Sequence, residues 1–421
     1  LGDVYKRQAH DTLQEHIQSW VSDPLPTKVT DLALGDGNRN GWPEIVVSAE
    51  RGNVYAFEVI STNMTISKLI APNVLWSFNF STLPYYFAYV KFIRVHAAGS
   101  PNIVVGFRNG TVLLMSIDGN IIATTDIGDL VNLMYTYDIN NDSYDDVIIG
   151  GYYGNVICLS GKDLSLIWKS SVPTDSITSI KILDLYDDKT LVYIIVASED
   201  ESVYALRIDG SIYWSVNLGS DVLGLTAAFY PYTDSRNVIA TTENGTIWVI
   251  YGKDGTITDK FTFWSNVKIR DLAAIDIDND HIEELIIPGK NLILLNETKG
   301  IVWNNTDVIA PGYRITLTDI NTDGVYEIIA SNVNFSGTGS EFICVDSLHG
   351  GTLWQRIMTN SFIWSFSVTS DFNNDGFMDI VAGLYGYFSP VIVYSGKDGS
   401  IISIYGKKNI VTVSYTHLTL P

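Results

Sequence analysis

Five nine-residue segments of this sequence place oxygen-bearing side chains at positions 1, 3, 5 and 9. In a tight turn, the side chains at positions 1, 3 and 5 converge on one point, and an acid at position 9 closes the site from the start of the next strand. Ca²⁺ takes about six to eight such oxygens at about 2.3–2.6 Å. The sequence therefore predicts several calcium sites with the following ligands: Asp36, Asn38, Asn40 and Glu44; Asp138, Asn140, Asp142 and Asp146; Asp276, Asp278, Asp280 and Glu284; Asp319, Asn321, Asp323 and Glu327; Asp371, Asn373, Asp375 and Asp379.

The sixth position of each loop must allow a sharp bend. Glycine permits it, as at Gly376, where the backbone carbonyl of residue 377 is expected to add one more oxygen. Ser143 and His281 occupy the same position in two other loops. These two residues are therefore expected to adopt a left-handed or adjusted backbone, which is uncommon outside glycine.

Two copies of the pattern are weaker. The loop from Asp36 has only two carboxylates, and a further copy starts at Asp184 with Asp188 at its fifth position. The alternative to metal binding is a turn rich in Asp and Asn, because both residues favour turns. Five loops in register favour the metal, since carboxylates packed together without a cation repel one another.

The acidic loops recur within a longer repeat, which sets the fold. Each repeat has an apolar stretch, the loop, a short strand such as residues 44–47, a polar turn, a third strand and a fourth strand. Two copies have lost the acids but kept the following strand, which gives eight starts near residues 36, 94, 138, 184, 230, 276, 319 and 371. Four short strands in about 45 residues are typical of a propeller blade. The sequence predicts an all-β propeller over residues 9–406, with about eight four-stranded antiparallel blades and seven as the alternative.

Tryptophan often ends the fourth strand of a repeat, where packing between blades is the expected role. The positions are Trp76, Trp168, Trp214, Trp303 and Trp354. The two cysteines, Cys158 and Cys344, each lie ten residues before one of these tryptophans, in repeats that are not adjacent. We therefore expect two unpaired, buried strand residues rather than a disulfide.

Both ends of the sequence fit no repeat. Residues 1–8 and 414–421 resemble translated adapter stretches at the ends of assembled gene fragments. We therefore expect residues 1–8 to be foreign, residues 407–421 to be a foreign or truncated end, and the chain to be part of a longer protein. Residues 18–21 are similar to the last strand of a repeat. They could close the ring against the final blade or be the remnant of an upstream blade.

The repeats of this chain resemble those of two related propeller families. The loop and its following strand are similar to the FG-GAP/VCBS repeat of integrin α-subunit heads and many secreted microbial proteins. Residues 203–214 are similar to the pyrroloquinoline-quinone-type repeat of quinoprotein dehydrogenases and non-enzymatic scaffold propellers. Together the two resemblances cover about residues 19–406 and imply a propeller fold, but these repeats serve many roles.

Charge and sequence motifs restrict the partners. The formal net charge of −21 excludes nucleic acid as an expected partner, and part of this charge is attributed to cation ligands. No run of 18 apolar residues is present, so no membrane span is predicted, although missing flanking regions could supply an anchor. Many glycosylation sequons agree with a protein that is extracellular or at the cell surface: Asn63, Asn79, Asn109, Asn141, Asn244, Asn296, Asn304 and Asn334.

No catalytic motif stands out in this chain. The resemblance to quinoprotein dehydrogenases implies adjacent cysteines against the cofactor, and there are none. We therefore expect a Ca²⁺-stabilised adhesion or interaction module for a protein or glycan. The alternative is an enzyme on the same scaffold, either a polysaccharide lyase or glycosidase or a quinone-dependent dehydrogenase. The aromatic connection at residues 78–87 is either a hydrophobic plug over one end of the propeller or a contact loop, and the insertion at residues 332–340 is a second candidate contact loop.

Overall fold

The computed structural model describes ten segments of the chain: residues 28–58, 73–79, 87–95, 101–186, 192–229, 233–307, 312–334, 339–358, 361–386 and 391–405. These segments form eight sheets, and each sheet consists of four consecutive antiparallel strands paired in chain order. The described residues contain no α-helix, only a short 3₁₀ turn at Glu50–Gly52. Within them, no helix is long and apolar enough to cross a membrane.

The strands of the first four blades follow the repeats predicted from the sequence. Blade 1 comprises β1 (Val29–Gly35), β2 (Glu44–Ala49), β3 (Asn53–Glu58) and β4 (Asn73–Asn79). Blade 2 comprises β5 (Ala88–Ile93), β6 (Asn102–Phe107), β7 (Thr111–Ser116) and β8 (Ile121–Asp126). Blade 3 comprises β9 (Val131–Tyr137), β10 (Asp146–Gly151), β11 (Val156–Leu159) and β12 (Leu166–Ser170). Blade 4 comprises β13 (Ile177–Asp184), β14 (Val192–Ser198), β15 (Ser202–Leu206) and β16 (Ile212–Asn217).

The second half of the chain repeats this order. Blade 5 comprises β17 (Val222–Ala228), β18 (Asn237–Thr242), β19 (Thr246–Tyr251) and β20 (Ile257–Thr262). Blade 6 comprises β21 (Ala273–Ile275), β22 (Glu284–Pro288), β23 (Leu292–Leu295) and β24 (Ile301–Asn305). Blade 7 comprises β25 (Gly312–Thr318), β26 (Glu327–Asn334), β27 (Gly339–Asp346) and β28 (Thr352–Met358). Blade 8 comprises β29 (Ser361–Val368), β30 (Ile380–Gly386), β31 (Val391–Tyr394) and β32 (Ile401–Tyr405).

Burial along the strands explains their sequence patterns. The second and third strands lie inside each blade and read as continuous apolar runs, as in β2 and β11, where every residue is buried. The fourth strand is the outer edge of its blade. In β8 and β20, exposed residues alternate with half-buried ones, because one face of the strand meets solvent.

The eight blades close into a ring. The core of the described residues divides into eight hydrophobic clusters, each shared by two neighbouring blades. One of these clusters joins Val29 and Val47 of blade 1 to Val381 and Val393 of blade 8. The predicted eight blades are therefore confirmed over the alternative of seven. The candidate closing strand at residues 18–21 lies outside the described residues, and blades 1 and 8 each have four strands without it.

The tryptophans of the fourth strands connect neighbouring blades, as predicted, but each lies inside its strand and not at its end. Trp354 of blade 7 is buried, and its indole N–H donates to the carbonyl of Gly396 in blade 8 at 2.7 Å. Its ring lies against Gly399, where any Cβ would clash. Four other tryptophans make the same bond to the next blade: Trp76 to Ile117, Trp168 to Ile208, Trp214 to Gly252 and Trp303 to Ser347.

Other predictions have mixed outcomes. Cys158 and Cys344 are unpaired and buried, as expected. Residues 269–275, the apolar stretch before the acidic loop of blade 6, form only a three-residue strand, and Asp271 accepts a hydrogen bond from the Ile315 N–H of blade 7 at 3.2 Å. The insertion at residues 332–340 mostly lengthens the hairpin of β26 and β27. Most of the aromatic connection at residues 78–87 lies outside the described residues.

Candidate functional site

The five acidic loops lie at one end of the propeller. Each one connects the first strand of its blade to the second, so all of them lie where the first strands end. We call this end the loop face. The first strands are also the innermost, since successive first strands such as β1, β5 and β9 contact one another around the ring. The opposite end, where the first strands begin, is called the open face.

The loop of blade 8 folds around its first carboxylate. Asp371 Oδ1 accepts from the Asp375 N–H at 3.1 Å, and its Oδ2 accepts from the Gly376 N–H at 2.8 Å. The side-chain oxygen of Asn373 also accepts from the Asp375 N–H, at 3.0 Å. Asp379 Oδ2 accepts from the Phe372 N–H at 2.7 Å, which ties the ninth position to the second. The turn thus gathers the four predicted ligand side chains around one backbone loop.

The same bonds recur in the other four loops. In each, the first residue accepts from the backbone N–H groups of the fifth and sixth residues, and the ninth accepts from the second. The first residues are Asp36, Asp138, Asp276 and Asp319. The ninth residues are Glu44, Asp146, Glu284 and Glu327.

The bend at the sixth position is left-handed in all five loops, as predicted. Gly376 has φ 88°, and Ser143 and His281 reach φ 74° and 71° without being glycine. Loops that lack glycine therefore keep the geometry of those that have it, although this conformation disfavours a side chain. The positive φ at the sixth position is therefore kept at Ser143 and His281, where the sequence lacks glycine.

The ninth residue of every loop is a buried acid. Asp379 is fully buried, and burial together with the neighbouring charges of Asp371 and Asp375 raises its pKa to about 7. Burial, with a smaller contribution from Asp142, raises the pKa of Asp146 to about 6. The pKa values of the other three are also raised, chiefly by burial: Glu44, Glu284 and Glu327. Each loop therefore holds a carboxylate that favours a proton or a cation beside it.

The donor set of the loops fits a hard cation. Glu44 Oε1 is buried and has no hydrogen-bond partner. A buried carboxylate oxygen normally has such a partner, and a bound cation would supply it. In blade 6, ligand oxygens of Asp276, Asp278 and Glu284 lie within 4.8 Å of one another. The other four loops have asparagine at position 3, whose amide oxygen also suits Ca²⁺. The weak copy is only partly described: Asp184 accepts from the Tyr186 N–H, and Asp188 lies outside the described residues.

Without metal, the protein is expected to be more stable at pH 5 than at pH 8. The folded state raises the pKa of Asp379 to about 7 and that of Asp146 to about 6, from the usual 3.8. The folded state then binds more protons than the unfolded state between about pH 4 and pH 7, so the free energy of unfolding falls as pH rises. Urea unfolding of chelator-treated protein across this range would measure the slope. Asp379→Asn should flatten it, and an unchanged slope would contradict the assignment.

A second site, not predicted from the sequence, lies in the central channel. The first strands line a cavity of about 430 Å³ in the part of the channel that is away from the acidic loops. Several first strands carry a β-bulge here, which re-aims a side chain. The bulged residues Asn132, Thr178, Leu223 and Trp364 all line the cavity.

Charged side chains from five blades meet in this channel. Asp31 of blade 1 forms an ion pair with Lys91 of blade 2 at 2.8 Å and accepts from the Ser365 hydroxyl of blade 8 at 2.9 Å. Asp271 of blade 6 lies 3.9 Å from the ammonium group of Lys181 in blade 4. The guanidinium of Arg314 in blade 7 lies 3.4 Å from Ser365 Oγ, so Arg314 is a further cation in the same network.

The pKa values of the two channel acids, Asp31 and Asp271, are shifted in opposite directions. Burial raises the pKa of Asp31, but the charges of Lys91 and Arg314 outweigh burial and leave its pKa below the usual value. At Asp271 burial prevails over the charges of Lys181 and Arg314, and its pKa is raised. The pKa values of the two acids in this cavity are therefore shifted in opposite directions.

Aromatic side chains flank the channel near blades 8 and 1. Trp364, which lines the cavity, packs against Phe87 and Tyr385 with ring centroids 5.8 and 5.4 Å away. Phe87 and Tyr385 also stack on each other, 5.9 Å apart. Phe87 is the described end of the aromatic connection that the sequence singled out. A cluster of three aromatic rings thus lies beside the charged network.

Sequence reasoning missed the channel residues because no motif joins them. The available signal was a charged residue inside an otherwise apolar first strand, as at Lys91, Lys181 and Arg314. In a propeller such strands face the axis, so charges there meet across the ring.

Comparison with known proteins supports the fold and gives one functional hint. Residues 102–220 match the family model of the lambda-carrageenase beta-propeller domain. This segment runs from β6 of blade 2 to the residues after β16 of blade 4 and is less than half of the chain. No curated protein matches the chain.

Solved structures similar to this chain are propellers of low sequence identity. Sqt1 from Saccharomyces cerevisiae is 12% identical over 90% of this chain and 98% of its own, with a TM-score of 0.69. The computationally designed Ika8 protein is 13% identical over 89% and 99%, with a TM-score of 0.63. BamB from Moraxella catarrhalis is 14% identical over 87% and 99%, with a TM-score of 0.54. These likenesses support the β-propeller fold, whose eight blades are the eight sheets of this chain. Membership of the FG-GAP/VCBS or pyrroloquinoline-quinone-type repeats stays a prediction.

Proposed function

We propose that this chain is a Ca²⁺-stabilised β-propeller that acts outside the cell and binds a glycan in its central channel. The observation that carries the glycan assignment is the cavity of about 430 Å³, lined by charged, polar and aromatic side chains. Cavities of this size hold small ligands or short chain segments, whereas a protein partner needs a surface of about 800 Å². The match of residues 102–220 to a carrageenase propeller supports the same class of ligand.

The calcium part of the proposal rests on the five loops. Millimolar Ca²⁺ outside the cell would hold the buried ninth-position acids in their ionised form. The loops lie at the loop face and the channel residues toward the open face. Calcium would therefore stabilise the blades that carry the channel side chains, without contacting the ligand.

Affinity electrophoresis against a panel of neutral and charged polysaccharides tests the glycan assignment. We expect at least one polysaccharide to retard the wild-type protein, because Trp364 offers a ring on which a sugar can stack. Trp364→Ala should abolish most of the retardation, and Trp364→Phe should restore part of it. Leu353→Ala, on an exposed position of the outer strand β28, is the matched control and should change nothing. A wild-type protein that no polysaccharide retards would contradict the proposal.

A second candidate function is cleavage of the bound glycan. It is favoured by the two acids of the channel, since a raised pKa at Asp271 and a lowered pKa at Asp31 suit a general acid and a general base. The reaction class would be glycoside hydrolysis. Release of reducing ends that Asp271→Asn abolishes would support an enzyme. Binding of the glycan without release of new reducing ends would instead support an interaction module that does not cleave its ligand.

A further inference from the structure

We propose that Glu58, at the end of the third strand of blade 1, is a ligand of the calcium site in that blade, and that Asn40 positions it. The inference rests on the proposed function and deepens it, because it concerns one of the five calcium loops. It assigns a ligand from outside the nine residues of the loop, since Glu58 lies 18 positions from Asn40 in the chain.

The loop of blade 1 differs from the other four at its fifth position, where Asn40 replaces aspartate. In all five loops, one terminal oxygen of the fifth residue accepts from the N–H of the seventh. In blade 1 the Trp42 N–H donates to Asn40 Oδ1 at 2.8 Å. The remaining terminal atom is a carboxylate oxygen in the other loops but an amide nitrogen in Asn40. An amide nitrogen carries two hydrogens and does not bind Ca²⁺, so this loop lacks one oxygen ligand.

Glu58 brings a carboxylate to the place of the missing oxygen. Asn40 Nδ2 donates to Glu58 Oε1 at 3.5 Å. Glu58 also pairs directly with Glu44, the ninth residue of the loop, across β2 and β3, so both side chains lie on one face of the sheet. In blade 8, Ser395 has the equivalent place directly after β31, and its hydroxyl donates to Asp375 Oδ2 at 3.0 Å. The residue opposite the ninth position therefore reaches the fifth position in both blades.

An unpartnered oxygen of Glu44 is independent evidence for a cation here. This side chain is only 1% exposed. Its Oε2 accepts from the Gly37 N–H at 2.6 Å, whereas Oε1 has no hydrogen-bond partner. Two carboxylates directly opposite each other on neighbouring strands are destabilising, so the pair of Glu44 and Glu58 favours a cation between them. With Asp36, the site would have three carboxylates rather than the two of the loop alone.

Blade 7 has an acid at the same place as Glu58 but does not require it as a ligand. Asp346 pairs with Glu327, the ninth residue of that loop. Asp346 Oδ1 accepts from the Leu348 N–H at 2.8 Å, and its Oδ2 lies 2.7 Å from His349 Nδ1. Both oxygens thus bond within their own turn, and the loop of blade 7 keeps aspartate at its fifth position. The third-strand ligand is therefore specific to blade 1, where the fifth position lacks its carboxylate.

Calorimetric titration of chelator-treated protein with Ca²⁺, together with ion counting, tests the inference. Asp36→Asn removes the first ligand and identifies the ion that belongs to blade 1. Glu58→Gln should weaken one site about tenfold, because calcium affinity depends on the number of charged ligands. The double variant should lose no more ions than Asp36→Asn alone, since both changes act on one site. Glu201→Gln, at an exposed glutamate between β14 and β15, is the matched control and should change nothing.

A rescue variant separates the loss of a ligand from damage to the fold. Asn40→Asp, added to Glu58→Gln, places a carboxylate where the other four loops have one and should restore the site. Damage to the fold cannot produce such a recovery. In chelator, Glu58→Gln should be at least as stable as the wild-type protein, because it removes a charge opposite Glu44 while its side-chain oxygen can still accept from Asn40.

The outcomes distinguish this inference from the proposed function. An ion lost in Asp36→Asn but bound with wild-type affinity in Glu58→Gln would overturn the inference and leave calcium binding intact. Failure of Asn40→Asp to restore the site, or no ion lost in Asp36→Asn, would overturn it as well. A wild-type protein that binds no Ca²⁺ would overturn both the inference and the calcium part of the proposed function.

Discussion

Removal of calcium is expected to lower the melting temperature of this protein by about 15 °C. A ligand that binds only the folded state adds about 2.7 kcal/mol per site at a hundredfold excess over its dissociation constant, so five sites add about 13 kcal/mol. For a chain of 421 residues this corresponds to a shift of about 15 °C. Calorimetric scans in millimolar Ca²⁺ and in chelator would measure the difference. Mg²⁺ should substitute poorly, because it prefers six ligands at about 2.0–2.1 Å and keeps its waters.

The contribution of a single loop to this calcium-dependent stabilisation can be removed by mutation. Asp375→Ala should abolish binding in blade 8 and reduce the calcium-dependent shift by about one fifth. In chelator, relief of the repulsion between carboxylates is expected to offset part of the loss of the bonds that Asp375 accepts from the Phe377 N–H and the Ser395 hydroxyl. Asp254→Ala is the matched control. Asp254 is an exposed aspartate in an ordinary turn, where it accepts from the Thr256 N–H at 2.9 Å. Equal melting temperatures with and without calcium in the wild-type protein would identify the loops as turns.

The second large effect is expected from the contacts between blades. Trp354→Ala should lower the free energy of unfolding by about 3–5 kcal/mol, because it leaves a cavity between blades 7 and 8. It also removes the 2.7 Å bond to the Gly396 carbonyl. Urea unfolding monitored by circular dichroism would measure the loss.

The equivalent tryptophan of blade 1 provides the comparison. Trp76 makes the same bond, to Ile117 at 2.6 Å, but it is only half-buried. Trp76→Ala should therefore cost less than Trp354→Ala. Equal losses would mean that the hydrogen bond matters more than burial, and no loss at Trp354 would contradict its role between blades.

The fold could be predicted from the sequence because its repeats are local. Each blade is formed by consecutive strands, so the strand runs and turns of one repeat specify one sheet. The acidic loops are equally local, since the bonds that shape each turn, from the second, fifth and sixth residues to the ninth and first, join residues at most seven positions apart, such as Phe372 and Asp379. Even the left-handed bend at Ser143 and His281 followed from the position of glycine in the other loops.

The channel could not be predicted in the same way. Its groups come from different blades, and Asp31 and Ser365 are 334 positions apart in the chain. Bulges also depend on how two strands pair, so nothing local indicates that Trp364 turns toward the cavity. The bond from the Ile315 N–H to Asp271 likewise forms only when blades 6 and 7 meet.

Counting the calcium ions bound by the purified protein separates a calcium-stabilised propeller from an acidic one. Equilibrium dialysis of chelator-treated protein against micromolar to millimolar Ca²⁺, with metal analysis of the protein compartment, gives the number per chain. The geometry of the five loops predicts about five ions, falling by one in Asp375→Ala and unchanged in Asp254→Ala. Less than one ion per chain at millimolar Ca²⁺ would contradict the account.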